Sequence, residues 1–338
     1  MKALVYHGKG DLRLTDLKKP RCDNGHAIIE VKNAGICGTD LTIYNGKHAR
    51  AKPPVILGHE FSGIVAEREG KNRLELKEGD RVTAEPTFSC GECELCRSGY
   101  YHICYQKGLY GIDADGAFAR FVRVPLKSLF RLPEGASFEE GAMVEPLAVA
   151  VRAVGISSLK VGESAVILGG GPIGLLTAQV ARAAGAANVV IVEPIEFRMR
   201  IAQKLKFTVL DPERATPDNL LKATKGREID VVFDAAGSPP AALLGTQLVK
   251  RKGRIVFVSI YENAVPYDLG AVTYGEIHMM GSCIYTFQDF SKALSLLEKA
   301  RIQLLPLISH RFRLEDGPEA FKALIKGENT QKVLFTIS

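Results

Sequence analysis

Up to about residue 150 the chain alternates short apolar runs with Gly, Pro and Asp turns, as in AIIEVKNAG, EFSGIVAE, DRVTAEP and AFARFVRVP. Such alternation predicts a strand-rich, irregular domain. The opening MKALVYHGKGDLRL predicts an edge strand and a turn. Beyond residue 150 the texture changes to SAVILGG, PIGLLTAQVARAAG, NVVIVE, EFRMRIAQKL, FTVLD, NLLKAT, DVVFDAAG, AALLGTQLVK and RIVFVSI. Short apolar strands separated by amphipathic helices predict a parallel sheet covered on both faces. The alternation then breaks: IHMMGSCIYT reads as one more strand and DFSKALSLLEKA as a helix, and a strand, a helix and the strand in QKVLFTIS follow. An α/β fold is expected, in which the chain leaves a β-rich domain, builds a doubly wound nucleotide-binding domain and returns. The boundaries this predicts are residues 1–148 with 288–338 for the first domain and 149–287 for the second.

One stretch, AVILGGGPIGLLTAQVA at 165–181, is uncharged and apolar enough to resemble a membrane span. Its glycines and Pro172 fall in the middle, and Arg182 closes it short of the length a bilayer needs. It reads as buried strand, turn and helix. No apolar leader segment or small-residue cleavage site opens the sequence, which argues against secretion. With 338 residues, 46% hydrophobic and 24% charged, the chain has the composition of an ordinary two-domain globular protein. The net charge of +6 is spread without a basic block, which argues against a nucleic-acid partner.

The candidate chemistry begins at FSCGECELCRSGYYHIC, where Cys90, Cys93, Cys96 and Cys104 follow one another closely enough to surround a tetrahedral ion. This spacing suits a structural zinc lobe over about 86–106, with Zn–S bonds of about 2.3 Å. A bacterial iron–sulfur run places three residues and a proline around its last cysteine, which this sequence does not. Disulfides are disfavoured by an odd total of seven cysteines in a chain that needs no stapling. Cys22 and Cys283 read as buried packing residues, and the compartment as reducing and cytoplasmic.

A second set of potential ligands, Cys37, His59, Glu60 and Glu145, lies outside that run. Three protein ligands and one open position are what a catalytic zinc needs, and such an ion lowers the pKa of bound water from about 15.7 to about 7. Gly169, Gly171, Pro172, Ile173 and Gly174 belong to a G-x-G-x-x-G turn between a strand and a helix, the arrangement that receives a dinucleotide pyrophosphate. Glu193, at the end of the next strand, can accept from the ribose hydroxyls and repels a 2′-phosphate, which favours NAD over NADP. Arg198 reads as a neighbour of the adenine or a phosphate.

GICGTD, GHEFSG, EGDRV, the four-cysteine run, EPLAVAV and GGGPIG, in this order, resemble the zinc-dependent medium-chain dehydrogenase/reductase family. Glu145 before Pro146-Leu147-Ala148 resembles its polyol (sorbitol-like), butanediol and threonine branch. The resemblance implies a GroES-like catalytic domain, a Rossmann domain with the active cleft between the two, and a homodimer or homotetramer. It also implies two zincs per subunit and hydride transfer from a secondary alcohol, a polyol or vicinal diol, to NAD.

Carried over residue by residue, the resemblance makes Cys37 and His59 fixed zinc ligands. Glu60 becomes a direct or exchanging ligand, and Glu145 a ligand or a water-linked neighbour. Thr39 takes the alcohol proton and Asp40 orients the His59 ring. Val258, Ser259, Ile260, Ser282, Cys283 and Ile284 flank the nicotinamide, and Phe118 lines the pocket or packs the core.

Two departures concern the substrate and the proton path. Thr42 stands where relatives carry a relay histidine, leaving water or His48 as the exit, and Tyr285-Thr286 replaces an Arg and Tyr pair of sorbitol dehydrogenases. L-threonine or butanediol oxidation on the same scaffold is the near alternative. A non-catalytic zinc-organised binding protein is the distant one, and it is disfavoured because no ligand or glycine is missing.

Overall fold

The computed structural model describes residues 1–71, 74–261, 263–265, 267–327 and 329–338. The chain divides into two compact units, residues 1–145 with 308–338 and residues 146–307.

In the first unit the strand His26–Ile36 is central. It pairs antiparallel with Glu60–Arg68, with Phe121–Pro125 and with Lys332–Thr336. Arg81–Ala84 and Leu129–Arg131 extend this sheet on one side and Ile308–Arg313 on the other. Most residues of His26–Ile36 are buried, and Ile29, Val31 and Ala34 join Phe61, Val82, Phe118, Phe321 and Phe335 in one apolar core. Phe118 is fully buried, with its ring centroid 5.0 Å from that of Phe335, so the core alternative holds for it. Lys2–Gly8 is the middle strand of a three-stranded sheet, between Asp11–Asp16 and Val55–Ile56. The edge position expected for it is thus corrected: on the side away from Asp11–Asp16, Val5 and Tyr6 pair with Ile56 and Val55, and Ala3 and Leu4 meet Ala119 and Phe118, all from distant segments.

A two-stranded ribbon, Thr87–Phe88 with Gly108–Leu109, pinches off the segment that carries the four cysteines. The lobe is tied to the strand below it through Glu85, whose buried carboxylate accepts hydrogen bonds from Thr87 Oγ1 and Tyr101 OH, both at 2.9 Å. Burial pushes the Glu85 carboxyl above its usual range, with those two donors opposing the shift.

In the second unit six parallel strands lie in the order Thr208–Leu210, Asn188–Val192, Ser164–Leu168, Ile229–Asp234, Val249–Phe257 and His278–Gly281. Counted along the chain this is the 3-2-1-4-5-6 order of a Rossmann sheet. Ser164–Leu168, the strand before the glycine turn, is buried along its whole length, as a central parallel strand must be. Residues 165–181 form this strand, a turn and the helix Pro172–Ala183, and among the described residues no helix is long and apolar enough to cross a membrane.

The structure puts the return to the first unit between Leu307 and Ile308, later than the sequence-based 288. The helix Phe287–Glu298 stays with the second unit because Asp289 lies 3.8 Å from Arg152. Residues beyond it are held there by Gln179, whose side chain donates to Gln303 O at 3.1 Å and accepts from Gln303 N at 2.8 Å. The first boundary falls between Glu145 and Pro146, inside the helix Val144–Ile156.

Candidate metal and cofactor sites

Cys90, Cys93, Cys96 and Cys104 converge as the spacing requires. Sulfur separations are 3.4 Å for Cys90–Cys104, 3.8 Å for Cys93–Cys104 and 3.9 Å for Cys90–Cys96. A disulfide needs about 2.05 Å, whereas the corners of a tetrahedron with bonds of about 2.3 Å lie about 3.8 Å apart. All seven cysteines are free. Backbone N–H groups of Cys93 and Gln106 point at Cys90 Sγ and Cys104 Sγ at 3.4 and 3.3 Å. The donors of Cys93 and Glu92 draw Cys90 down to about 6, and burial leads the rise of Cys96 to about 11. Backbone donors thus favour the anionic form at one corner of the cluster, which suits a cation at its centre.

Cys37, His59 and Glu60 meet in the first unit, their ligand atoms all within 4.8 Å of one another. The sheet brings them together. Gly35 lies opposite Glu60 in the pairing of His26–Ile36 with Glu60–Arg68, so Cys37 follows the end of one strand where Glu60 begins the other. Cys37 then caps the helix Gly38–Tyr44, and its N–H donates to Asp40 Oδ2 at 2.8 Å. His59 is 3% exposed and its Nδ1 has no hydrogen-bond partner. Burial alone would depress the imidazole, but the facing Cys37, Asp40 and Glu145 overcome it and raise His59 well above its ordinary value. A sulfur, a nitrogen and an oxygen donor within 4.8 Å of one another, two of them on buried residues, fit a zinc ion.

Glu145 is buried and its charge acts on both His59 and Lys332, although it lies outside the three-residue ligand cluster. Thr39 Oγ1 is 3.7 Å from Cys37 Sγ. Asp40 is fully buried, and its carboxyl is pushed up by that burial against the pull of His59 and the Cys37 N–H. Its Oδ1 is 3.9 Å from His59 Nδ1, beyond hydrogen-bond range, but also accepts from Gly58 N at 3.4 Å. Asp40 therefore clasps the backbone beside Cys37 and His59 while its charge also faces the ring the sequence reading gave it to orient. Asp40→Ala is expected to lower the affinity of these donors for zinc by roughly tenfold to a hundredfold, with any metal in the four-cysteine lobe unaffected. Competition with a chelator, followed by metal analysis, measures both.

Sequence reasoning missed Lys332, whose Nζ donates to Ile36 O at 3.0 Å and forms an ion pair with Glu60. Its only sequence signal was a lysine heading the apolar strand VLFT. His48 is half-buried with Nδ1 accepting from Ala51 N at 3.3 Å, and burial, with Arg50 beside it, lowers its pKa.

In the second unit, the turn after Ser164–Leu168 opens a cavity of about 430 Å³ whose wall includes Gly169, Gly171, Glu193, Arg198, Ala235 and Leu244. Gly169 has φ +94°, and a Cβ on Gly174 would lie 1.9 Å from Gly169 O, so both positions need glycine. Gly171 caps the helix Pro172–Ala183, with Pro172 and Ile173 in its first turn. Glu193 is 2% exposed and locked by two backbone donors, Gly170 N to Oε2 at 2.6 Å and Ile195 N to Oε1 at 2.8 Å. Arg198 Nε is buried without a hydrogen-bond partner.

Val258, Ser259 and Ile260 follow the strand Val249–Phe257, and Ser282, Cys283 and Ile284 follow His278–Gly281. Val258 N and Ser259 N donate to Asp234 O at 2.9 and 3.1 Å, and Ser282 N donates to Phe257 O at 2.8 Å. Ile260 is 86% exposed, which removes it from the sheet core. Cys283 is exposed and Cys22 half-buried, so neither is the buried packing thiol expected of it. Cys283 stands in the open because the strand has ended two residues earlier. Tyr285 is fully buried against Phe290, and Thr286 caps the following helix.

A borderline-soft donor cluster in one unit and a dinucleotide-type cavity on a Rossmann sheet in the other define a metal- and nucleotide-dependent dehydrogenase. The family model for the alcohol dehydrogenase GroES-like domain matches residues 23–134, and that for zinc-binding dehydrogenase matches residues 172–299. The 2-dehydro-3-deoxy-L-galactonate 5-dehydrogenase of Pseudoalteromonas atlantica is 39% identical, covering 96% of this chain and 98% of its own. The crystal structure of 2R,3R-butanediol dehydrogenase from Bacillus subtilis superposes with a TM-score of 0.91 at 33% identity, covering 99% of each chain. A zinc-binding dehydrogenase of Sinorhizobium meliloti, bound to NADP, gives 0.92 at 31% identity over 99% of this chain and 98% of that one. The chain belongs to the zinc-dependent medium-chain dehydrogenase/reductase family and is an oxidoreductase of alcohols.

Proposed function

We propose that the chain oxidises a secondary alcohol of polyol or vicinal-diol type to a ketone, with NAD as hydride acceptor. The observation that carries this reading is the meeting of Cys37, His59 and Glu60 within 4.8 Å. These three residues hold the catalytic zinc, with Glu145 beside them as a further or water-linked donor, and the four-cysteine lobe holds a second, structural zinc. When bound, the catalytic ion supplies a Lewis acid that makes an alcohol proton easier to remove. Thr39 Oγ1 accepts that proton, and its exit runs through water or the half-buried His48, since Thr42 Oγ1 is engaged with Gly38 O at 3.2 Å.

Gly169, Gly171, Pro172, Ile173 and Gly174 receive the pyrophosphate at the helix N-terminus. The residues after the last two parallel strands, Val258 to Ile260 and Ser282 to Ile284, flank the nicotinamide. Glu193 binds the ribose hydroxyls, and Arg198 borders the adenosine side. A carboxylate about 4 Å from a 2′-phosphate is repelled by on the order of 4 kcal/mol at an effective dielectric of about 20. Because two backbone donors fix that carboxylate, it cannot swing aside. Glu193→Ala is expected to shift the NAD over NADP preference in kcat/KM by at least about tenfold toward NADP. An unchanged ratio would assign the discrimination elsewhere.

A homodimer or homotetramer in the cytoplasm is the setting proposed. The function is tested by absorbance at the reduced nicotinamide band with sugar alcohols, vicinal diols, sugar-acid alcohols and L-threonine, each with NAD and NADP at equal concentration. Turnover of polyols or diols with NAD supports the reading, and turnover confined to primary alcohols or to L-threonine overturns its substrate class.

A further inference from the structure

Asp234 ends the strand Ile229–Asp234 and is 1% exposed. A carboxylate buried that deeply is costly unless donors meet its oxygens. Oδ1 accepts from Ala236 N at 3.0 Å and Gly237 N at 3.2 Å, and Oδ2 accepts from Tyr261 OH. The backbone oxygen of the same residue accepts from Val258 N, Ser259 N and Ser259 Oγ at 2.9, 3.1 and 3.2 Å. Asp234 thus ties together two stretches of chain: 235–237, which follows its own strand, and 258–261, which follows Val249–Phe257.

The first of these stretches borders the cavity. Ala235 and Ala236 belong to its wall, and a Cβ on Gly169 of the glycine turn would lie 3.0 Å from Ala236 Cα. Gly237, with φ +65°, brings this stretch against the second, since a Cβ there would lie 3.0 Å from Ser259 Cβ. Ile260 stands between the ties and is 86% exposed, so burial of its own side chain does not hold the chain in place. Tyr261 does. Its ring centroid is 6.3 Å from that of Phe257, Tyr267 meets the same ring edge-on at 5.5 Å, and the two tyrosine hydroxyls are hydrogen-bonded. Burial, followed by Asp234 and Tyr267, raises the Tyr261 hydroxyl above its ordinary range, so at neutral pH it stays a donor to Asp234.

We propose that Asp234 and Tyr261 are positioning residues that latch 258–261 in the place where it flanks the nicotinamide. The pair then sets how tightly the nicotinamide end of the cofactor is held, while Glu193 and the glycine turn hold the other end. This rests on the reading that the glycine turn receives the pyrophosphate and that Val258 to Ile260 flank the nicotinamide. A segment that occupies its competent place for only a fraction of the time lowers apparent affinity by that fraction. Loss of a hydrogen bond to a charged acceptor is enough to shift such a balance by about tenfold.

The test compares Tyr261→Phe with the wild type, a change that leaves the ring beside Phe257 and removes only the hydroxyl. Backbone hydrogen exchange over 258–261 is read without cofactor. Dissociation constants are then measured for NADH and for ADP-ribose, which lacks the nicotinamide. Tyr261→Phe is expected to speed exchange over 258–261 and to weaken NADH, each by about tenfold, with ADP-ribose bound as by the wild type. A merely structural tyrosine would weaken both ligands together or neither.

Unchanged exchange, unchanged NADH affinity, or an equal loss for the two ligands each overturns the proposal. If Tyr261→Phe does not accumulate as folded protein, Asp234→Asn carries the test. It keeps an oxygen for Ala236 N and Gly237 N, removes the anion that holds the hydroxyl, and must weaken NADH while sparing ADP-ribose, with an equal effect on both overturning the proposal. A wild type that binds neither ligand would overturn the reading of the cavity itself, a result separate from failure of the latch.

Discussion

Replacing Cys37 by serine is expected to abolish alcohol turnover while leaving NADH affinity where it was. The thiolate is the one soft donor of the cluster, and it caps a helix whose N-terminal turn already favours an anion at that point. A serine hydroxyl would have to ionise to replace it, and a hydroxyl does not do so near neutral pH without a metal already in place. His59 and Glu60 are too few to retain the ion. The loss should exceed the roughly tenfold to hundredfold that follows removal of a residue merely supporting a ligand. Metal content should fall by one equivalent, with the four-cysteine lobe still loaded. Fluorescence titration with NADH measures the second half of the expectation, because the cavity formed by Gly169, Gly171, Glu193 and Arg198 lies in the other unit. A variant that loses turnover and cofactor affinity together would break the proposed division of labour.

The second large effect is expected from Cys93→Ser. Thiolates at the 3.4–3.9 Å separations seen here repel one another once the central cation is weakened. Structural zinc contributes apparent binding energies of about 10–16 kcal/mol in small zinc-organised modules. Besides the metal, the lobe is held by the Glu85–Tyr101 hydrogen bond and the buried His102 and Cys104, while its helix Glu94–Arg97 has no buried residue. Losing one of four thiolates should therefore open the segment from about residue 86 to 106 well before the rest of the first unit. Limited proteolysis with mass mapping would show cleavage inside that segment, alongside the loss of one zinc. Cofactor affinity should hold. An intact segment with full metal content would mean that the fourth thiolate is dispensable.

The parts of this molecule that could be read from sequence are those whose determinants are local. The four cysteines lie close along the chain, so their spacing alone carries the geometry that the sulfur separations bear out. The glycine turn is similarly self-contained, since Gly174 is needed to clear a carbonyl only five positions earlier. Cys37 and His59 had no such local logic, and their roles came from resemblance. What escaped was long-range. Lys332 contacts Ile36 across a separation of 296 residues, and a lysine read by itself signals a solvated surface. The first strand was taken for an edge because Val55 and Ile56, which cover it, are separated from it by a turn-rich segment. Asp40, expected to orient the His59 ring, faces that ring at 3.9 Å and also takes hydrogen bonds from the backbone of Cys37 and Gly58, contacts that a reading of the chain alone does not show.

The discontinuity of the first unit sets an order of events during synthesis. The strand Lys332–Thr336 leaves the ribosome only after the whole of residues 146–307, which form a contiguous unit able to collapse while translation continues. At about 5–20 residues per second, the 296 positions separating Ile36 from its lysine partner take roughly 15–60 s to make. For that interval the nascent polypeptide displays an unguarded thiol, imidazole and carboxylate beside an unpaired strand flank, and any metal captured early is met without its ammonium neighbour.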